Sequence, residues 1–192
     1  MPPLLTAARE AVASRGIRVS MQTMPRETPA TFDGVSVTLN ASHDPQSLAF
    51  YLLHSFGSIV RWCLDRTAVQ TIFDELRDAK VESTDTPRFE RALEAFRRFE
   101  EQSSEHAVWT LAQIGHAGAI DDYTIFFRAD IEAISAFHRT GRAPLWPSFL
   151  AEWREAVASG RRPLRPFAPR PVPGFTPLAI ERQDVKQELD GR

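Results

Sequence analysis

The chain has 192 residues, 43% apolar and 25% charged, with a formal net charge of −2. That length fits one domain with a core of its own, and the composition is that of an ordinary soluble globular protein. The near-neutral balance argues against nucleic acid as a partner, no uncharged apolar run reaches the roughly 18 residues of a membrane span, and the single Cys63 excludes an internal disulfide or a multi-cysteine metal cluster.

The opening residues MPPLLTAARE lack the basic flank and long apolar run of a signal peptide. With the lone cysteine, this points to a cytoplasmic location. Leu4 to Ser14 carries Leu4, Leu5, Ala8, Ala11 and Val12 on one side, with Gly16 as a stop signal, and is expected to be an amphipathic helix. Ile17 to Gln22 alternates apolar and polar residues like a half-buried strand. Thr31 to Asn40 gives Phe32, a turn at Asp33-Gly34, then Val35, Val37 and Leu39 on one face. A small sheet therefore precedes the helices.

The next stretch, Asp44 to Asp65, organises the rest. Asp44 is a natural helix cap and Pro45 suits the first helical position. Apolar residues then cover nearly the whole circumference, which describes a central, buried helix. In its middle sits His54-Ser55-Phe56-Gly57-Ser58. A zinc-peptidase helix needs two His at i and i+4, with a Glu directly after the first to deprotonate the metal-bound water. Here Ser55 stands at the general-base position and Ser58 where the second His belongs. A neutral hydroxyl is a weak base and a poor zinc ligand.

Thr67 to Lys80 places Val69, Ile72, Phe73 and Leu76 on one face, and Val81 to Asp85 reads as a polar loop. Thr86-Pro87 opens a helix with Phe89, Leu93, Phe96 and Phe99 inward and a charged, solvated face from Arg88 to Glu101. Ser103 or Ser104 is expected to cap a separate helix, Ser104 to Gly115, that carries Glu105. Ala119 to Thr140 is a long apolar helix closed by Gly141, and Leu150, Trp153, Ala156 and Val157 mark one more, ended by Gly160. From Arg161 the texture changes, and PLRPFAPRPVPGFTP holds six of the fourteen prolines. Residues 161–192 are therefore expected to be an extended or disordered tail behind a 1–160 domain. As a linker the tail simply trails. As a recognition segment, Pro166-x-x-Pro169 and Arg170-Pro171-Val172-Pro173 suit polyproline II in an aromatic-lined groove, on a partner or on the domain's own cleft.

The element order, the segment Arg15 to Val19, the hairpin closing on Val37 to Asn40, the Asp44-Pro45 loop and the motif helix together resemble the ImmA/IrrE family of metallopeptidase-like domains. Members of that family read HExGH where this chain has His54-Ser55-Phe56-Gly57-Ser58. The resemblance implies an α+β, mostly helical, zincin-like fold with a small N-terminal sheet. It implies zinc as the cofactor, with His54 as the surviving ligand and Glu105 as the match for the third ligand, both vestigial. It also implies protein substrates, since intact members cleave regulatory proteins.

Three functions follow as expectations. The first is an inactive homologue that binds a protein or peptide and carries no metal. The second is a divergent zinc-dependent hydrolase using His54, Glu105 and a further His or acid. The third is a structural or phage-type accessory domain with a filled cleft. His43, His106 and His116 are the remaining histidines for an unorthodox site, although His106 points about 100° from Glu105 on an ideal helix. Cys63 reads as a core thiol, and Ser55 and Ser58 lack the tight turn of a serine nucleophile.

Overall fold

The computed structural model describes residues 2–25, 28–142 and 144–180. Among them lie six α-helices and a three-stranded sheet, so the fold is α+β and mostly helical, as the sequence suggests. Helix α1 (Leu4–Ala13) leads into β1 (Arg18–Gln22), then β2 (Ala30–Phe32) and β3 (Ser36–Asn40). The sheet order is β1-β3-β2, with β1 parallel and β2 antiparallel to β3.

Two polar side chains shape this sheet. The Asp33 carboxylate accepts from the Val35 and Ser36 amides at 3.0 and 2.7 Å, which closes the β2–β3 turn. Asp33 is pulled below the ordinary carboxylate range, because these bonds and the Ser36 hydroxyl outweigh its partial burial. Buried Asn40 donates to the carbonyls of Met24, Pro25 and Thr28 and so fixes the loop before β2.

Helix α2 (Pro45–Leu64) is the central one. Asp44 caps it by accepting from the Gln46 and Ser47 amides, and thirteen of its twenty residues are buried. The sheet and α1 pack on one side, through Val37, Leu39, Ala8 and Val12, and α4 packs on another. Helix α3 (Arg66–Glu82) follows, capped by Asp65, and Thr86 caps α4 (Pro87–Gln113). After a short 3-10 turn come α5 (Ile120–Thr140), stopped by Gly141 at φ 66°, and α6 (Trp146–Ala158). Trp62, Phe73, Phe89 and Phe96 form a second, smaller cluster between α2, α3 and α4. Among the described residues no helix is long and apolar enough to cross a membrane.

One element differs from the sequence reading. The expected break at Ser103-Ser104 is absent, and α4 is one helix of 27 residues. A serine hydroxyl that looks like a cap can equally bond backward along a helix. Ser103 Oγ does so, donating to the Phe99 carbonyl at 3.0 Å, and Ser104 Oγ turns to His54 instead.

The continuous helix brings Ser103 against Gly57. A Cβ on Gly57 would stand 2.1 Å from the Ser103 carbonyl oxygen and 2.8 Å from its carbon, far inside contact distance. Gly57 therefore sets how closely α2 and α4 approach, which in turn sets the geometry at His54 one turn earlier.

Residues 161–180 contain no helix or strand, as their prolines dictate, and they lie against the domain. Arg162 anchors the start of the segment: its amide donates to Ala156, and its guanidinium pairs with Glu132 at 2.8 Å and covers the Trp153 ring. Phe167 and Val172 are buried in the main core, and Phe175 packs on Phe56. At the far end the Ile180 amide donates to Asp33 at 2.8 Å, and a side chain on Gly34 would strike the Leu178 carbonyl. Fixing an extended residue costs about 1–2 kcal/mol, and burying a large apolar side chain returns about 1.5–3 kcal/mol. Prolines reduce the first term because their φ is already set. The rest of the tail, residues 181–192, lies outside the described residues.

Candidate functional site

His54 projects from α2 toward α4 and α5 and is 6% exposed. Its Nε2 lies 2.6 Å from Glu100 Oε2, and its Nδ1 lies 3.3 Å from Ser104 Oγ and 3.4 Å from the Tyr123 hydroxyl. A carboxylate at 2.6 Å accepts, so Nε2 donates and Nδ1 is the acceptor for the hydroxyls. The imidazole also stacks on Phe127, with centroids 4.1 Å apart and planes 12° from parallel. Both ring nitrogens and one ring face are thus engaged.

Glu100 and Ser104 are one turn apart on α4, so both reach the same imidazole. Burial pushes the Tyr123 phenol well above its ordinary value, opposed by its bond with Ser104 and reinforced by the carboxylates of Glu100 and Asp130. Tyr123 therefore stays neutral and serves this cluster as a hydroxyl.

The structure does not join His54 to Glu105. The acid that reaches His54 is Glu100, five residues earlier, whereas Glu105 faces residue 170 of the tail segment. Glu100 was legible in principle. The inward stripe Phe89, Leu93, Phe96, Glu100, Ser103, Ala107 follows helical spacing and puts a carboxylate on a core position. Ser55 and Ser58 are buried, and Ser58 Oγ bonds back to the His54 carbonyl at 3.2 Å. His43 lies edge-on to Tyr51, His116 pairs with the Pro2 carbonyl and His106 with the Arg170 carbonyl.

Two chemistries can be tested against this geometry. A catalytic zinc takes three protein ligands and an open position. Here His54 and Glu100 are one donor short and bonded to one another, and neutral hydroxyls are poor substitutes. Among the described residues, no group of three or more His, Cys, Asp and Glu side chains is placed to hold a metal ion. The zinc implied by the family resemblance does not fit these residues.

The second chemistry is a nucleophile relay, because Ser104, His54 and Glu100 stand in the order hydroxyl, imidazole, carboxylate. A relay also needs an exposed nucleophile and donors aimed at a developing oxyanion. Ser104 is fully buried in mid-helix, where backbone N–H groups are spent on the helix itself. The cluster is a satisfied polar core.

Directly beside it runs the tail segment. The Arg170 amide donates to the Glu105 carbonyl at 3.1 Å, its carbonyl pairs with His106 Nδ1 at 3.1 Å, and its Nε lies 2.7 Å from Glu105 Oε2. Phe167 lies edge-on to Tyr123 at 6.2 Å and under the Arg128 guanidinium, which also pairs with Glu101. His106 is held below the ordinary histidine value by burial first, then by the charges of Arg170 and Arg61, against the bonds it makes to the backbone at Arg170 and Pro171. As a neutral ring it donates through Nδ1 to the Arg170 carbonyl. Consecutive residues Glu105 and His106 thus grip one tail residue by its amide, its carbonyl and its side chain.

The recognition reading of the sequence named Arg170 and Val172; the signals missed were Phe167 and Phe175, aromatic residues among the prolines that are atypical of a linker. Compared with known proteins, the chain matches no family model, no curated protein and no solved structure.

Proposed function

We propose that this chain is a non-catalytic peptide-binding domain of regulatory type, whose groove on α2, α4 and α5 holds an extended, proline-containing segment. The zincin-like outline and the ImmA/IrrE-like ancestry belong to this proposal. In it, a peptidase cleft has kept its capacity for extended chain and lost its chemistry at Ser55 and Ser58.

The observation that carries the reading is the seating of Arg170, whose main chain and side chain are both engaged by Glu105 and His106. Main-chain bonds supply affinity to an extended peptide and side-chain pockets supply specificity. Phe167, Val172 and Phe175 fill those pockets here. A second reading, a structural accessory domain, draws on the same filled groove and predicts that the segment never leaves.

A site for a sequence-specific protease inserted between Gly160 and Arg161 separates these readings in the otherwise complete chain. Gly160 sits in an exposed turn at φ 72°. After cutting, the fragment from Arg161 onward is expected to co-elute with the domain, to exchange with added labelled fragment over hours, and to remain uncleaved with or without zinc. Immediate, complete release would contradict peptide binding. Retention without exchange would favour the accessory role, and zinc-dependent cleavage of the fragment would restore the hydrolase.

A further inference from the structure

The segment seated in the groove reports, by its own side chains, what the groove recognises. Phe167 and Arg170 stand three residues apart in the segment, and so do Val172 and Phe175. The first pair meets Tyr123, Arg128 and Glu105. Of the second pair, Val172 is buried in the core and Phe175 meets Phe56. Each anchor has a different partner, so the spacing is specified as well as the composition.

Among residues 167–175 Arg170 is the one charged residue, and its seat is electrostatically divided. Glu105 attracts it, whereas Arg61 lies close enough that the two guanidiniums oppose one another. Arg61 is pushed below its ordinary value by burial and by Arg170, with Asp65 and Glu105 acting the other way. Its Nε is buried and without a hydrogen-bond partner among the described residues. Asp65 and Glu105 offset this like-charge contact, so Glu105 is the group that makes an arginine acceptable in this seat.

We infer that the groove is a docking site for an extended segment of a partner protein, of the pattern aromatic-x-x-Arg-x-Val-x-x-aromatic, with Glu105 selecting the arginine and residues 167–175 acting as the built-in competitor. This rests on the peptide-binding reading above. Glu105 is a specificity residue, and its carboxylate acts by charge complementarity rather than by shaping the core. Polar rim groups around a seated arginine set which peptides are rejected.

The test uses the chain cut between residues 160 and 161 with three synthetic peptides spanning residues 163–180: the native sequence, Arg170→Ala and Arg170→Glu. Displacement of the labelled fragment is followed by anisotropy. The native peptide is expected to displace it in the micromolar range. Arg170→Ala should be about fivefold weaker and Arg170→Glu weaker still, the scale of one lost, part-exposed ion pair.

On a Glu105→Lys chain the order should reverse, with Arg170→Glu the best competitor. Equal displacement by all three peptides on the unsubstituted chain would overturn the inference while leaving the peptide-binding reading intact. Failure of even the native peptide to bind would remove both. If Glu105→Lys does not fold, the three peptides on the unsubstituted groove decide alone. Sedimentation of the uncut chain as a dimer with exchanged segments would assign the groove to a second copy and contradict the partner proposed here.

Discussion

Gly57→Ala is expected to destabilise the protein by about 3 kcal/mol or more, which lowers the thermal midpoint by roughly 6–12 °C for a chain of this size. The added methyl would fall 2.1 Å from the Ser103 carbonyl oxygen, and that oxygen is backbone inside a 27-residue helix. Nothing flexible can yield, so α2 and α4 must move apart along a seam that also carries His54 and Glu100. Gly174→Ala is the control: a Cβ there meets nothing within 4 Å, and the change should stay within about 0.5 kcal/mol. Differential scanning calorimetry of both variants reads the effect. Equal midpoints would show that Gly57 does not set the helix approach.

Glu100→Ala should be the next most damaging substitution, at about 1–3 kcal/mol by urea denaturation. It leaves the buried His54 Nε2 donor without its carboxylate. Glu105→Ala removes a partner of Arg170, which is half exposed, and should cost at most about 1 kcal/mol. The family resemblance ranks these acids the other way, because it makes Glu105 the partner of His54. A greater loss with Glu105→Ala than with Glu100→Ala would support the pairing that the resemblance implies. A His54→Leu/Glu100→Leu double variant is expected to recover part of the loss, since replacing both partners of a buried hydrogen bond by apolar groups leaves no donor unsatisfied.

Much of the fold was legible because its signals are local. Asp44, Thr86 and Gly141 mark helix ends by cap chemistry, and the structure finds them there. The Asp33-Gly34 turn and the apolar alternation of β3 likewise depend on neighbours in sequence. What escaped depends on neighbours in space. Ser103 and Ser104 carry the residue type of a cap, and only the packing of α2 on α4 shows why two hydroxyls belong inside a helix.

Gly57 read as a remnant of a metal motif, although its immediate physical role is to admit a helix that begins thirty residues later. The candidate site was half visible. His54 was found through its place in the motif, but its acidic partner was sought by family spacing rather than by the helical stripe that contains Glu100. Prolines announced that the tail is extended; whether it docks depended on Phe167, Arg170 and Val172 finding seats on three helices.

Beside the His54 cluster, the domain grips extended chain at Arg170. Flanked by Pro169 and Pro171, Arg170 supplies the one amide between two residues that have none, so its exchange with solvent can be followed by NMR without overlap from its neighbours. In the intact chain at neutral pH, this amide is expected to exchange at least about 100-fold more slowly than in a free 163–180 peptide, because it donates to the Glu105 carbonyl. Exchange at the free-peptide rate, in a chain whose α2 and α4 amides remain protected, would contradict the account.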